Sequence, residues 1–346
     1  MIKSTFRILA LTLSLLLLVS FSVMAGGSNR AGTASGTQLL IPVGAKSMGM
    51  GGANVASVNG VEAIFWNPAG VSRSTNVANV MFSHMTYIAD INVSYAAVEA
   101  GFGDLGRFGL SVKSLGIGDI PVTTVESPDG TGANFSPTFM TIGLTYSKLL
   151  TDKISVGTNV KIFSEQVPRA GATGFAFDAG VQYAGLGGVE GLNFGISINN
   201  LGPEVTWDGT ALNRTAKDPD AKRPTSQYKL DAASFELPTF IEMGLSYNLK
   251  VADAQNLNTT FVFQNNNFYD DETKVGAEYG FNNMFFLRGG YSYGVDVNEG
   301  HEYIYGPSFG AGFNYNFGNL DMQVDYAYRT VDIFDANHVF AFTLGF

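Results

Sequence analysis

The run His338-Val339-Phe340-Ala341-Phe342-Thr343-Leu344-Gly345-Phe346 puts large apolar side chains on alternate positions, small ones between them, and an aromatic at the end. A period of two is a strand with one greasy face. Alternation of this kind recurs from about Asn76 onward in segments of about ten residues. Met140, Ile142, Leu144 and Tyr146 share one face, and Ile154, Val156, Val160 and Ile162 another. Phe175, Phe177, Val181 and Tyr183 oppose Asp178 and Gln182, and Phe309, Phe313 and Tyr315 oppose Asn314 and Asn316. Downstream of residue 25, no stretch approaches the ~20 apolar residues that a membrane helix needs. A chain that meets lipid with strands has to close them into a barrel, because only closure pairs every backbone N–H and C=O.

Composition fits that reading. Charged residues are 14%, against about 25% in soluble domains. Gly reaches 42 residues, Phe 27 and Tyr 15, which suits a wall facing lipid outside and crowded inside. The formal charge of −10 speaks against nucleic acid, whose phosphates need basic patches. There is no cysteine, so disulfides, lipid-modified cysteine and thiol chemistry drop out. Residues 1–25 have the layout of a cleaved signal peptide: Lys3 and Arg7, the apolar run Ile8 to Val23, then Val23-Met24-Ala25.

The strands are predicted at 76–87, 90–101, 106–117, 138–148, 153–165, 173–184, 192–202, 238–249, 256–265, 272–281, 284–294, 305–317, 319–330 and 336–346. Their number is even, as in bacterial barrels, which have short periplasmic turns and longer outside loops. With a periplasmic N-terminus the longest connections, Gly118–Pro137 and Gly202–Leu237, both fall outside. The tightest turns, at Asn282-Asn283 and Gly318-Asn319, fall on the periplasmic side. Tyrosines near strand ends, such as Tyr87, Tyr146 and Tyr279, suit aromatic girdles. The fold class is therefore all-β: a 14-stranded antiparallel transmembrane β-barrel over 76–346, with a small N-terminal hatch over 26–75.

The hatch segment does not alternate. Small residues at Ala45, Gly49, Gly52, Ala53 and Ala56 suggest a short helix packed closely against a neighbour, and Asn67-Pro68 starts a turn. From Ile41-Pro42-Val43-Gly44-Ala45 through Met50-Gly51-Gly52-Ala53 to Trp66-Asn67-Pro68-Ala69-Gly70, the sequence resembles the PorV/PorQ family of outer-membrane proteins, a branch of the FadL/TodX-like transporter superfamily. The match covers residues 39–71 and the last ten; elsewhere only length and strand pattern agree. The PorV/PorQ branch implies a component of type IX protein secretion that binds cargo or translocon partners through outside loops. The FadL-like branch implies passive transport of long-chain fatty acids or other hydrophobic compounds, released through a gap at a kinked strand. Either branch implies a 14-stranded barrel in the outer membrane with no cofactor.

Candidate residues follow. Trp66, Asn67, Pro68, Ala69 and Gly70 set a turn of the hatch against the inner wall. Gly116, Gly118 and Pro121 bend or end the third strand, where a lateral opening could form. Trp207, Asp208, Arg214, Lys217, Lys222 and Arg223 lie in the longest loop, the candidate contact for a protein partner. Asp270-Asp271-Glu272 reads as a solvated acidic tip or, less simply, a cation site. His84, His301 and His338 sit on separate elements with no nucleophile beside them, so no catalytic or metal-binding residues are assigned.

Overall fold

The computed structural model describes residues 30–217, 225–295 and 303–346; the expected signal peptide lies outside them. The alternating segments form the wall strands β1 Ala78–Thr86, β2 Asn92–Gly101, β3 Arg107–Gly116, β4 Thr138–Leu149, β5 Ile154–Val167, β6 Ala170–Ala184 and β7 Leu192–Leu201. They continue with β8 Phe240–Ala252, β9 Gln255–Asn266, β10 Asp271–Phe281, β11 Phe285–Val295, β12 Tyr305–Asn316, β13 Asp321–Val331 and β14 Asn337–Gly345. Sequence neighbours pair antiparallel throughout, and β14 returns to β1 with Phe82 opposite Phe342. The barrel is closed with 14 strands. Phe346 bolts the seam: its N–H donates to Ala78 O at 2.9 Å and its carbonyl accepts from Val77 N at 2.7 Å.

Outward positions carry Phe82, Leu110, Leu144, Phe175, Leu287, Phe309 and Phe340, all exposed apolar side chains suited to lipid. Inward positions carry Glu99, Lys161, Asp178, Gln182, Glu242, Lys274, Arg288 and Asp325, all buried. Burial of charge requires pairing, and these charges are paired: Lys161–Asp178 at 2.7 Å, Lys274–Glu242 at 2.9 Å, and Arg288 with Glu278 at 2.5 Å and Asp325 at 2.6 Å.

The connections 117–137 and 202–239 share one end of the barrel, hereafter the long-loop end. The turns at 282–284 and 317–320 share the other, the short-turn end. One tight turn departs from this division. Pro168-Arg169 joins β5 to β6 at the long-loop end, because those strands run to 14 and 15 residues and meet beyond the rim.

Residues 30–75 fill the lumen. They form α1 (Ala45–Gly49), α2 (Ala63–Trp66) and the 3-10 turns Thr37–Leu40, Gly60–Glu62 and Pro68–Arg73. The largest apolar core lies between hatch and wall: Val43, Met48, Ile64 and Trp66 pack with Met81, Met85, Val93 and Leu115 of β1–β3 and Val339 of β14. The inner face is thus apolar where β1–β3 and β14 meet the hatch, and it meets the hatch with polar side chains such as Ser147, Ser155 and Gln182 on β4–β6.

Candidate functional site

The tetrad after Trp66 is a buried corner. Asn67 is fully buried, and its Oδ1 accepts from Ala69 N at 3.2 Å, capping the Pro68–Arg73 turn. Its Nδ2 donates to Val55 O at 2.8 Å and lies 3.4 and 3.5 Å from the wall carbonyls of Val181 and Ile196. Trp66 Nε1 donates to Val43 O at 3.0 Å. A side chain on Gly70 would run into Val58 O and Ala63. The wall makes room in the same way: a Cβ on Gly180 would meet Asn67 Oδ1, and one on Gly157 would meet the Pro68 carbonyl. Sequence reading singled out Asn67 to Gly70 but not their glycine partners on β5 and β6.

Two cavities flank the hatch. The larger, about 550 Å³, faces the long-loop end. Leu40, Ile41, Pro42, Met48, Phe65 and Trp66 of the hatch give it an apolar floor, with Tyr87, Tyr269, Tyr303 and Tyr305 around it. Tyr87 and Tyr305 share a hydroxyl hydrogen bond of 2.7 Å, so Tyr87 turns into the lumen instead of joining a lipid girdle. Burial pushes the Tyr87 and Tyr269 phenols above their ordinary range. On the far wall the Lys274 ammonium donates to Glu242 at 2.9 Å and to Gln264 Oε1, and lies 3.6 Å from Glu272. Arg329 stacks 3.8 Å over Tyr305 and donates to Asn337 Oδ1. A volume of this size with an apolar floor and a few fixed polar groups suits a small organic ligand. The smaller cavity, about 250 Å³, faces the short-turn end and is polar, lined by Lys46, Asn54, Glu62, Arg73, Gln182 and Asn258 among others.

Asp270-Asp271-Glu272 is neither a cation cradle nor a solvated tip. Asp271 is buried and accepts from Asn265 Nδ2 at 2.9 Å and Asn266 N at 3.0 Å, while Glu272 joins Lys274. These partners come from β9 and β10 and are invisible in a local reading.

Gly116 ends β3 in full register, opposite Asn92 on β2 and Thr138 on β4. Gly118, at φ 84°, follows the strand end, and Pro121 belongs to a small ribbon with Asn134 above the rim. No break in the wall is found at these three residues. Pairing is interrupted instead between β11 and β12. Phe285–Gly290 pair with Ser308–Phe313, but Tyr291–Val295 pair only with β10. Pro307, which has no N–H to give, lies at this break within a bulge of β12.

The longest loop folds partly over the hatch. Val205 and Leu237 are buried with Leu39 and Phe163, and Trp207 packs against them. Asp208 pairs with Lys229 at 2.5 Å, and this partner holds its carboxyl below the ordinary range. Arg214 donates to the carbonyls of Ala211 and Asn213 within the loop, and Lys217 is exposed. Lys222 and Arg223 lie outside the described residues.

No family model matches the sequence, and no curated protein matches it. Solved structures do. The Pseudomonas putida toluene transporter TodX is 14% identical, with 88% of this chain and 99% of that one covered and a TM-score of 0.55. The CymD monoaromatic hydrocarbon channel is 15% identical over 88% and 97%, with a TM-score of 0.53. A FadL homologue of Pseudomonas aeruginosa is 10% identical over 88% and 98%, with a TM-score of 0.51. At these identities the likeness is one of fold.

Proposed function

We propose that this chain is an outer-membrane channel of the FadL/TodX type, taking small hydrophobic compounds from outside into the cavity above the hatch. The carrying observation is that cavity: about 550 Å³, floored by Leu40, Ile41, Met48 and Trp66, and placed at the long-loop end of a plugged barrel. Similar folds whose names record toluene and monoaromatic hydrocarbons support the ligand class. The reading includes export by the residue 1–25 signal, with the long-loop end outside. It needs no catalytic group and no cofactor.

The test uses Trp66 as reporter. Trp207→Phe leaves it the single tryptophan, since the chain has two. Saturable change of its fluorescence with toluene in detergent-free nanodiscs supports the reading, and a strictly linear, non-saturable response refutes it.

A second reading, a PorV/PorQ-like role in type IX protein secretion through the outside loops, is favoured by the resemblance at residues 39–71 and the last ten. Unchanged secretion of type IX cargo after deletion of the gene would exclude it.

A further inference from the structure

The hatch is bonded to the wall on one side only. On β3, Lys113 Nζ donates to Ile41 O at 2.9 Å. On β4, Ser147 Oγ accepts from Ser72 N and donates to Ala69 O, each at 3.1 Å. On β6, Gln182 Nε2 donates to Val55 O at 3.1 Å and Val58 O at 2.9 Å, and Arg73 reaches Ser155 Oγ on β5 at 2.9 Å. Among the described residues, no hydrogen bond or ion pair joins the hatch to β8–β14. There, segment 45–53 is held to the wall by packing alone: it rests on wall glycines and sets Ala45 and Met48 into the apolar core with Ala327 and Val339. A Cβ built on Gly49 stands 3.0 Å from Gly310 Cα, and Gly290 lies beneath Met50 and Gly51.

That segment is also the partition between the cavities. Met48, Gly51 and Gly52 face the larger one, and Lys46 and Met50 the smaller. Its ends are built to turn: Gly44 has φ 86°, and Gly51 and Gly52 have φ 65° and 75°. Both ends abut fixed points, Val43 O held by Trp66 and Val55 O held by Asn67 and Gln182. The wall it rests on includes β11 and β12, whose ladder is interrupted.

We propose that segment 45–53 is the moving part of the hatch. It lifts off β10–β13 and joins the two cavities along the inner face of those strands, while 55–73 stays bonded to β4–β7. The packed state is held by dispersion contacts and by two bonds to the rest of the hatch, Ser47 N donating to Glu62 Oε1 at 3.1 Å and Asn54 Nδ2 donating to Ser47 Oγ, all within reach of thermal opening. The proposal rests on the channel reading, since a passage matters only if a ligand crosses.

Two measurements test it. In wild-type protein, the amides of Met48, bonded to Gly44 O, and of Gly51 and Gly52, bonded to Met48 O and Ser47 O, should exchange with deuterium at least about tenfold faster than the Gly70 and Ser72 amides. Equal protection overturns the proposal. The absence of cysteine permits a lock: Gly49→Cys with Gly310→Cys, oxidised, against a control on the bonded side, Ser72→Cys with Ser147→Cys. Uptake of labelled toluene by lipopolysaccharide-bearing cells expressing the chain should fall about tenfold on oxidising the first pair, recover on reduction, and stay unchanged with the second. Unchanged uptake with the 49–310 lock closed overturns the proposal and leaves the β11–β12 break as the exit. If toluene neither binds in the Trp66 assay nor enters unlocked cells, the channel reading itself fails.

Discussion

Replacing Asn67 separates two roles that one side chain fills. As a cap it accepts from Ala69 N, and Asp serves as well as Asn at that task. As a donor it satisfies Val55 O at 2.8 Å from a fully buried site, and Asp cannot donate when ionised. Asn67→Ala loses a cap worth about 1 kcal/mol and leaves a buried carbonyl short of its partner at about 1–3 kcal/mol. Together these cost about 2–4 kcal/mol of hatch docking. Asn67→Asp keeps the cap but points a carboxylate at Val55 O, with Val181 O and Ile196 O close behind. Burying an unpaired charge against carbonyls costs more than the lost hydrogen bond, so Asp should be worse than Ala. The assay is thermal release of the hatch followed by Trp66 fluorescence in the Trp207→Phe background. Wild-type-like melting of Asn67→Asp, with Asn67→Ala destabilised, would show that the cap alone matters and refute the reasoning.

Three further outcomes are expected. Gly180→Val should expel the Asn67 corner, since even a Cβ there collides with Asn67 Oδ1; proteolytic nicking of the hatch in an intact barrel checks this. Arg288→Met should cost about 3–5 kcal/mol by stranding Glu278 and Asp325, read as a lower temperature for loss of the heat-resistant gel form. Burial pushes the Glu62 carboxyl up from 4.5 to about 7, against the pull of Lys46 and the Ser47 N–H. The folded hatch therefore binds this proton more tightly than the unfolded chain. Docking is strongest below about pH 4.5 and weakens as pH rises to about 7, by about 3 kcal/mol at about 1.4 kcal/mol per pH unit. Glu62→Gln should flatten that slope in exchange rates of the Ser47 amide.

The wall was legible because its physics is local. Outward alternation is imposed by lipid on each strand separately, so Met140, Ile142 and Leu144 declare a strand without reference to its neighbours. Asn67-Pro68 was legible for the same reason, since a cap and a turn are short-range devices. What was not legible depends on register around the barrel. Nothing near Lys274 announces that β8 and β9 bring Glu242 and Gln264 to it. Gly116, Gly118 and Pro121 carry the residue types of a break, yet the ladder is complete at Gly116. The interruption lies at Pro307, where a missing N–H falls inside a paired strand. The longest loop read as a free contact surface because its charges are conspicuous. Val205 and Leu237, few and scattered, decide that its base packs inward.

The asymmetry of the hatch follows from the same division between local and circumferential chemistry. A plug bonded to the whole wall would be stable and impassable, because each buried hydrogen bond broken on opening leaves an orphan at about 1–3 kcal/mol. A plug resting on glycines everywhere would gain dispersion contacts but no fixed orientation, since such contacts are weakly directional. Here the two solutions are divided between the two sides of the barrel. Ser147, Arg73 and Gln182 set the position of residues 55–73, and Gly276, Gly290 and Gly310 offer residues 45–53 a close but bond-free seat. Opening on the glycine side strands no wall donor or acceptor, so its cost is set by lost packing and by the bonds of Ser47 to Glu62 and Asn54 within the hatch. If that is the design, crowding the glycine seat should change passage more than removing one bond from the bonded side. Gly310→Ala, whose Cβ would stand 3.1 Å from Gly49 Cα and prop the segment off the wall, should speed toluene uptake, and a larger change of uptake in Ser147→Ala would contradict it.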